Sequence, residues 1–119
     1  MPKSTTEHTV AEHFEGKAPA VKKTYAKLLA AARKLGPVRE EPKKTSIHLA
    51  RRTAFAGVAT RKEALLLTLK SEADIASPRV HKRERVSANR WHVELRLASP
   101  ADVDRELAGW LAKAYALSE

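Results

Sequence analysis

Between Arg79 and Leu97 the chain reads R-V-H-K-R-E-R-V-S-A-N-R-W-H-V-E-L-R-L, with basic groups recurring at every second position. Arg79, His81, Arg83 and Arg85 alternate with Val80, Lys82, Glu84 and Val86. After a short turn, His92, Glu94 and Arg96 alternate with Trp91, Val93, Leu95 and Leu97. Strand side chains point to opposite faces in turn, so the spacing predicts a hairpin with one apolar and one basic side. Guanidinium groups two residues apart stand roughly 6–7 Å from one another, close to the pitch of phosphates along a nucleic-acid strand. A row of Arg79, His81, Arg83 and Arg85, extended by Arg90, His92 and Arg96, is chemistry for holding phosphates, and a two-stranded ribbon also fits a major groove. The bland alternative is a solvated sheet face on which Glu84 and Glu94 pair locally.

Other cations cluster at turns: Lys43, Lys44, Arg51, Arg52, Arg61 and Lys62. Among them Lys44 and Arg52, with His48, suggest a pocket for a small anionic ligand between sheet and helices. His48, His81 and His92 with Glu94 would offer metal ligands, but none has a helical i,i+4 partner and the neighbouring arginines oppose a dication, so no metal is expected. His8 and His13, near the N-terminus, are assigned no role.

Enzyme layouts are missing from the sequence. With four glycines there is no nucleophile elbow, phosphate loop or dinucleotide fingerprint. Glu41-Pro42-Lys43 matches half of a nuclease metal site, but Pro42 spoils the strand and, adjacent Glu40 apart, the earlier acids fall in helical or loop segments rather than on a neighbouring strand. Asp102 and Asp104 read as first-turn helix acids. The expectation is a non-enzymatic protein without a cofactor.

The elements that must carry these residues follow from periodicity. The 119 residues predict a single domain, 1–119. Residues 1–6 are small and polar and predict disorder, and 9–36 are helical. In that stretch Val21, Tyr25, Leu28, Ala32 and Leu35 form one stripe that begins at Pro19 and stops at Gly36-Pro37. Residues 38–97 predict an antiparallel sheet of five or six strands: Val38–Glu41, Thr45–Arg51, Ala54–Ala59, Ala64–Lys70 and the hairpin. Ser99-Pro100-Ala101-Asp102 opens a closing helix over 99–117 that buries Val103, Leu107, Trp110, Leu111 and Ala114. The fold class is α+β: a meander with N-terminal and C-terminal helices packed on one face.

Charge follows this plan. The net charge is +9, which favours an anionic partner. Residues 37–98 hold 14 Lys and Arg against 7 Asp and Glu, whereas residues 99–119 hold 2 against 4. Cysteine is absent, so disulfides and thiolate chemistry are excluded. No apolar run approaches a membrane span, and the start M-P-K-S-T-T-E-H-T-V lacks the apolar stretch of a signal peptide, which predicts a cytoplasmic protein.

At K-K-T-S-I-H-L-A-R-R-T-A-F-A-G-V, at L-L-L-T-L-K and at S-P-A-D-V-D-R-E-L-A-G-W-L-A-K-A-Y the chain resembles the bacterial family known as domain of unknown function 5655. The likeness runs from about His13 to Tyr115 and rests on Lys44, Ile47, Phe55, Leu67, Leu69, Asp102, Ala114 and Tyr115. More distantly, the order of elements is similar to the small sandwich domains of the YdhG-like and MmcQ/YjbR-like families, the latter sometimes proposed to bind DNA. The resemblance implies a fold and supplies no site residues.

The function expected from the residues is that of a binding module that contacts nucleic-acid phosphates, of DNA or RNA, through a basic sheet face. The alternatives are the small-anion pocket at Lys44, His48 and Arg52, or a protein-interaction domain for an acidic partner. Phe55 and Trp91 fall on expected core faces and few other aromatic residues are free to stack bases, which disfavours a single-strand binder built on stacking platforms.

Overall fold

The computed structural model describes residues 9–118; the disorder expected for residues 1–6, and His8, lie outside them. A 3-10 turn at Ala11–Phe14 leads into helix α1, Pro19–Arg33. Pro19 occupies the first turn, where its missing N–H costs nothing. Val21, Thr24, Tyr25, Leu28 and Ala32 are buried, and the Thr24 hydroxyl is satisfied by the Ala20 carbonyl at 2.6 Å. The helix ends before Leu35, which is exposed rather than part of the stripe. Phe14 packs at 5.2 Å on the Tyr25 ring, and the His13 ring bonds the Lys43 carbonyl at 2.9 Å. His13 therefore has a structural role that the sequence reading did not assign it.

Six strands form one antiparallel sheet: β1 Arg39–Pro42, β2 Ile47–Ala50, β3 Ala54–Thr60, β4 Leu65–Ser71, β5 Val80–Ser87 and β6 Arg90–Leu97. Their spatial order is β1-β2-β3-β4-β6-β5, so the expected meander breaks between β4 and β5, while β5 and β6 remain a hairpin. The reason is burial. β6 brings Val93, Leu95 and Leu97 to the core, whereas β5 buries Val80 alone. The more apolar strand takes the inner place and the charged one becomes the edge.

Helix α2, Arg105–Ala116, closes the fold. The single closing helix expected over 99–117 is instead divided. Asp102 accepts from the backbone N–H groups of Ala98 and Ser99 at 2.8 and 3.2 Å, capping a 3-10 turn at Pro100–Asp102. Buried Val103 then leaves helical geometry, and Asp104 starts α2 by accepting from the Leu107 N–H at 3.0 Å.

Both helices lie on one face of the sheet. Leu28 of α1 and Leu107, Leu111 and Ala114 of α2 meet Ile47, Leu49, Val58, Leu65, Leu67, Leu69, Val93, Leu95 and Leu97 in one apolar cluster. Each such aliphatic side chain contributes about 1.5–3 kcal/mol by leaving water. Phe55 joins them through a bulge: Leu49 pairs with Ala56 and Ala50 with Ala54, leaving Phe55 as the extra residue of β3. It is buried and meets the Tyr115 ring edge-on at 5.3 Å. No helix among the described residues is long and apolar enough to cross a membrane.

Candidate functional site

Among the described residues no helix covers the other face of the sheet, and strand register places its residues. One row crosses the sheet from Glu41 through His48, Gly57, Thr68 and Glu94 to Lys82. A neighbouring row joins Lys70, His92 and Glu84, and on the other side Ala59, Leu66 and Arg96 align. Paired residues share a face, so all of these point away from the core. The centre is hollow. A depression of about 420 Å³ is lined by Ser46, His48, Gly57, Ala59, Thr68, Lys70 and His92, with parts of Ala54, Phe55, Ala56 and Leu69.

Small residues make that hollow. A side-chain carbon added at Gly57 would meet His48 and Thr68 only at 3.9 and 4.0 Å, ordinary contact distances. Space, not backbone strain, is what glycine provides here. The sequence signal for this floor was a lone glycine inside a strand pattern with alanine two positions on, Gly57 and Ala59, and the charge-based reading passed over it. It also missed Thr68, Lys70 and Lys82.

Lys70 stands at the edge of the depression, where its ammonium donates to the Thr53 and Ser118 hydroxyls, both at 3.1 Å. Partial burial, and then the nearby Arg90 charge, hold its pKa below the ordinary lysine value. The face is mixed but net basic: Arg39, Lys70, Lys82, Arg90 and Arg96 are set against Glu41, Glu84 and Glu94. No acidic group of the described residues lies within ion-pair distance of Arg90 or Arg96.

The basic row expected from alternation does not assemble, because two bulges interrupt β5. Val80 pairs with Leu95 and Lys82 with Glu94, which leaves His81 extra; its ring lies 3.8 Å from the Glu94 carboxylate. Beyond the bulge the phase is reversed. Arg83 pairs with Val93 and Arg85 with Trp91, on the side where the helices lie. Arg83 is held there by Asp74 at 2.7 Å, and the Arg85 guanidinium sits 6.0 Å over the Trp91 ring. Trp91 is only half-buried.

Arg79 precedes β5 and is consumed by packing. It reaches Asp104 at 2.9 Å, Glu106 at 3.0 Å and the Asp102 carbonyl at 2.7 Å, and lies 5.7 Å over Trp110. Burial alone disfavours its charge, but the two carboxylates outweigh that and raise its pKa. Of the predicted set, His92, Arg96 and Arg90 share the open face with His81, while Arg79, Arg83 and Arg85 do not join them.

The small-anion alternative is also dispersed. Lys44 lies in the turn before β2 and Arg52 in the turn after it, at opposite ends of the strand. His48 points away from the helices, and the space between sheet and helices is filled by the core. A second hollow of about 550 Å³ lies beside α2, lined by Ile75, Trp110 and Leu117 with charges of both signs. Among the described residues no group of three or more His, Asp or Glu is placed to hold a metal ion.

Lys44, Ile47, Phe55, Leu67, Leu69, Asp102, Ala114 and Tyr115 thus fall on the turn, strands, cap and helix that shape this fold. A family model described as "Domain of unknown function (DUF5655)" matches residues 10–118. The chain belongs to the DUF5655 family. No curated protein and no solved structure matches it. In this DUF5655 chain the family's matched span covers the whole sheet, both helices and the open face, so the depression is part of the domain rather than an appendage.

Proposed function

We propose that this protein is a non-enzymatic, cytoplasmic module that binds nucleic acid through the helix-free face of its sheet, chiefly by phosphate contacts. The observation that carries the reading is that face itself, on which Arg90 and Arg96 stand outside ion-pair distance of every acid of the described residues, beside a depression floored by Gly57 and Ala59. Cations on an uncovered, net basic surface release condensed counterions when they meet phosphates, and that release is the main source of affinity. The contact set is therefore Lys70, Lys82, Arg90, His92 and Arg96, in place of the row that led with Arg79.

An anisotropy titration of the purified chain against short single- and double-stranded DNA and RNA, at low and near-physiological salt, tests this. Binding that weakens steeply with salt and is lost in the Arg90→Glu/Arg96→Glu double variant supports it. No binding at low salt discards it, and an anionic metabolite in the same depression becomes the reading to pursue.

A further inference from the structure

We infer that the depression seats one unpaired nucleobase, so that the protein selects single strands over duplexes; this rests on the nucleic-acid reading above. Three features carry it. The first is shape. The His48 ring and the Thr68 side chain stand on either side of Gly57, 3.9 and 4.0 Å from the point where a side chain would begin. With nothing but backbone between them, a flat group can descend to the sheet. The volume of about 420 Å³ suits a nucleoside-sized group and excludes a double helix.

The second is chemistry. The His48 and His92 rings line the depression, and imidazole is among the flat side chains on which splayed-out bases stack. Thr68 makes no side-chain hydrogen bond among the described residues, so its hydroxyl is available to a base edge as donor or acceptor. The third is charge. Lys70 borders the depression, and Arg96 and Arg90 extend from the same face along β6. A base held at Gly57 leaves its flanking phosphates toward these cations. In a duplex the bases stay stacked inside and cannot reach the floor.

The test compares three labelled probes of equal length on the full chain: oligothymidylate, an abasic strand with the same phosphates, and a duplex. Oligothymidylate is expected to bind about tenfold more tightly than the abasic strand, the scale of one stacked base. Gly57→Leu fills the floor and is expected to bring oligothymidylate down to the abasic affinity while leaving the abasic strand unchanged. Gly57→Ala, whose added carbon meets only ordinary contacts, gives an intermediate ratio and stands in should the leucine variant not fold. Equal affinity for the two strands, or an unchanged ratio in the filled variants, overturns the inference while leaving phosphate binding intact. Failure of every probe to bind overturns the nucleic-acid reading as well. Thymidine monophosphate separates a strand from a free nucleotide: competition as effective as that of the strand itself overturns selection of single strands.

Discussion

The Tyr115 hydroxyl donates to the Pro37 carbonyl at 3.1 Å, tying the last helix to the turn after the first across 78 residues of sequence. The same ring carries the Arg51 guanidinium 4.4 Å above it and meets Phe55 edge-on. Tyr115 thus joins α2, the end of α1 and the β2–β3 turn. Tyr115→Phe keeps the ring and loses the hydrogen bond, so urea unfolding should report a loss of about 1 kcal/mol. Tyr115→Ala should cost about 3–5 kcal/mol, as for other large buried aromatics.

Gly36 is constrained by the same contact. Its φ of 150° is a conformation that L side chains rarely adopt, and a side-chain carbon there would collide with the Tyr115 hydroxyl. Gly36→Ala should therefore destabilise by more than about 1 kcal/mol. Gly57→Ala, with open space and ordinary backbone, should be close to neutral in the same denaturation experiment.

Arg79 and Arg96 should separate stability from binding. Arg79→Gln breaks the bonds to Asp104, Glu106 and the Asp102 carbonyl and should cost about 1–2 kcal/mol in thermal unfolding. Its oligonucleotide affinity at a temperature where it is folded should stay near wild type. Arg96→Ala should unfold like wild type yet bind more weakly, with the slope of log K against log salt shallower by about 0.7 for a single strand. The Arg83→Glu/Arg85→Glu pair, on the opposite side of the sheet, should reduce binding less than Arg90→Glu/Arg96→Glu.

Two groups should set the pH dependence, with opposite signs. The Leu107 N–H, and then Arg79, hold the Asp104 carboxyl below the usual aspartate range. Its contribution is present above the unfolded-state pKa and is lost as pH falls through the lower folded value. Asp104→Asn should be less stable near neutrality and show a shallower loss from about pH 5 to about pH 2. Burial, and then the hydrogen bond to Glu40 at 2.6 Å, push the Tyr25 phenol well above its ordinary value. That contribution is complete below the unfolded phenol pKa and declines as pH rises above it. Tyr25→Phe should lack the alkaline decline, which circular dichroism at graded pH would show.

Local and periodic features were legible in the sequence because they depend on neighbours along the chain. The 3.6-residue stripe from Val21 to Ala32 predicted α1, and the L-L-L-T-L run predicted a central strand. Alternation at Trp91–Leu97 predicted the apolar side of β6, and family resemblance alone pointed to DUF5655. What tertiary structure decided depended on partners distant in sequence. The bulge at His81 reversed the facing of Arg83 and Arg85, since a one-residue slip moves every later side chain to the other face. Competition for core contacts put β6 inside β5, and Arg79 was drawn to acids more than twenty residues away. The depression at Gly57 exists only because four strands align small residues and imidazoles across the sheet. Strand period follows from the chain alone, whereas which cations stay free of acids is settled by packing.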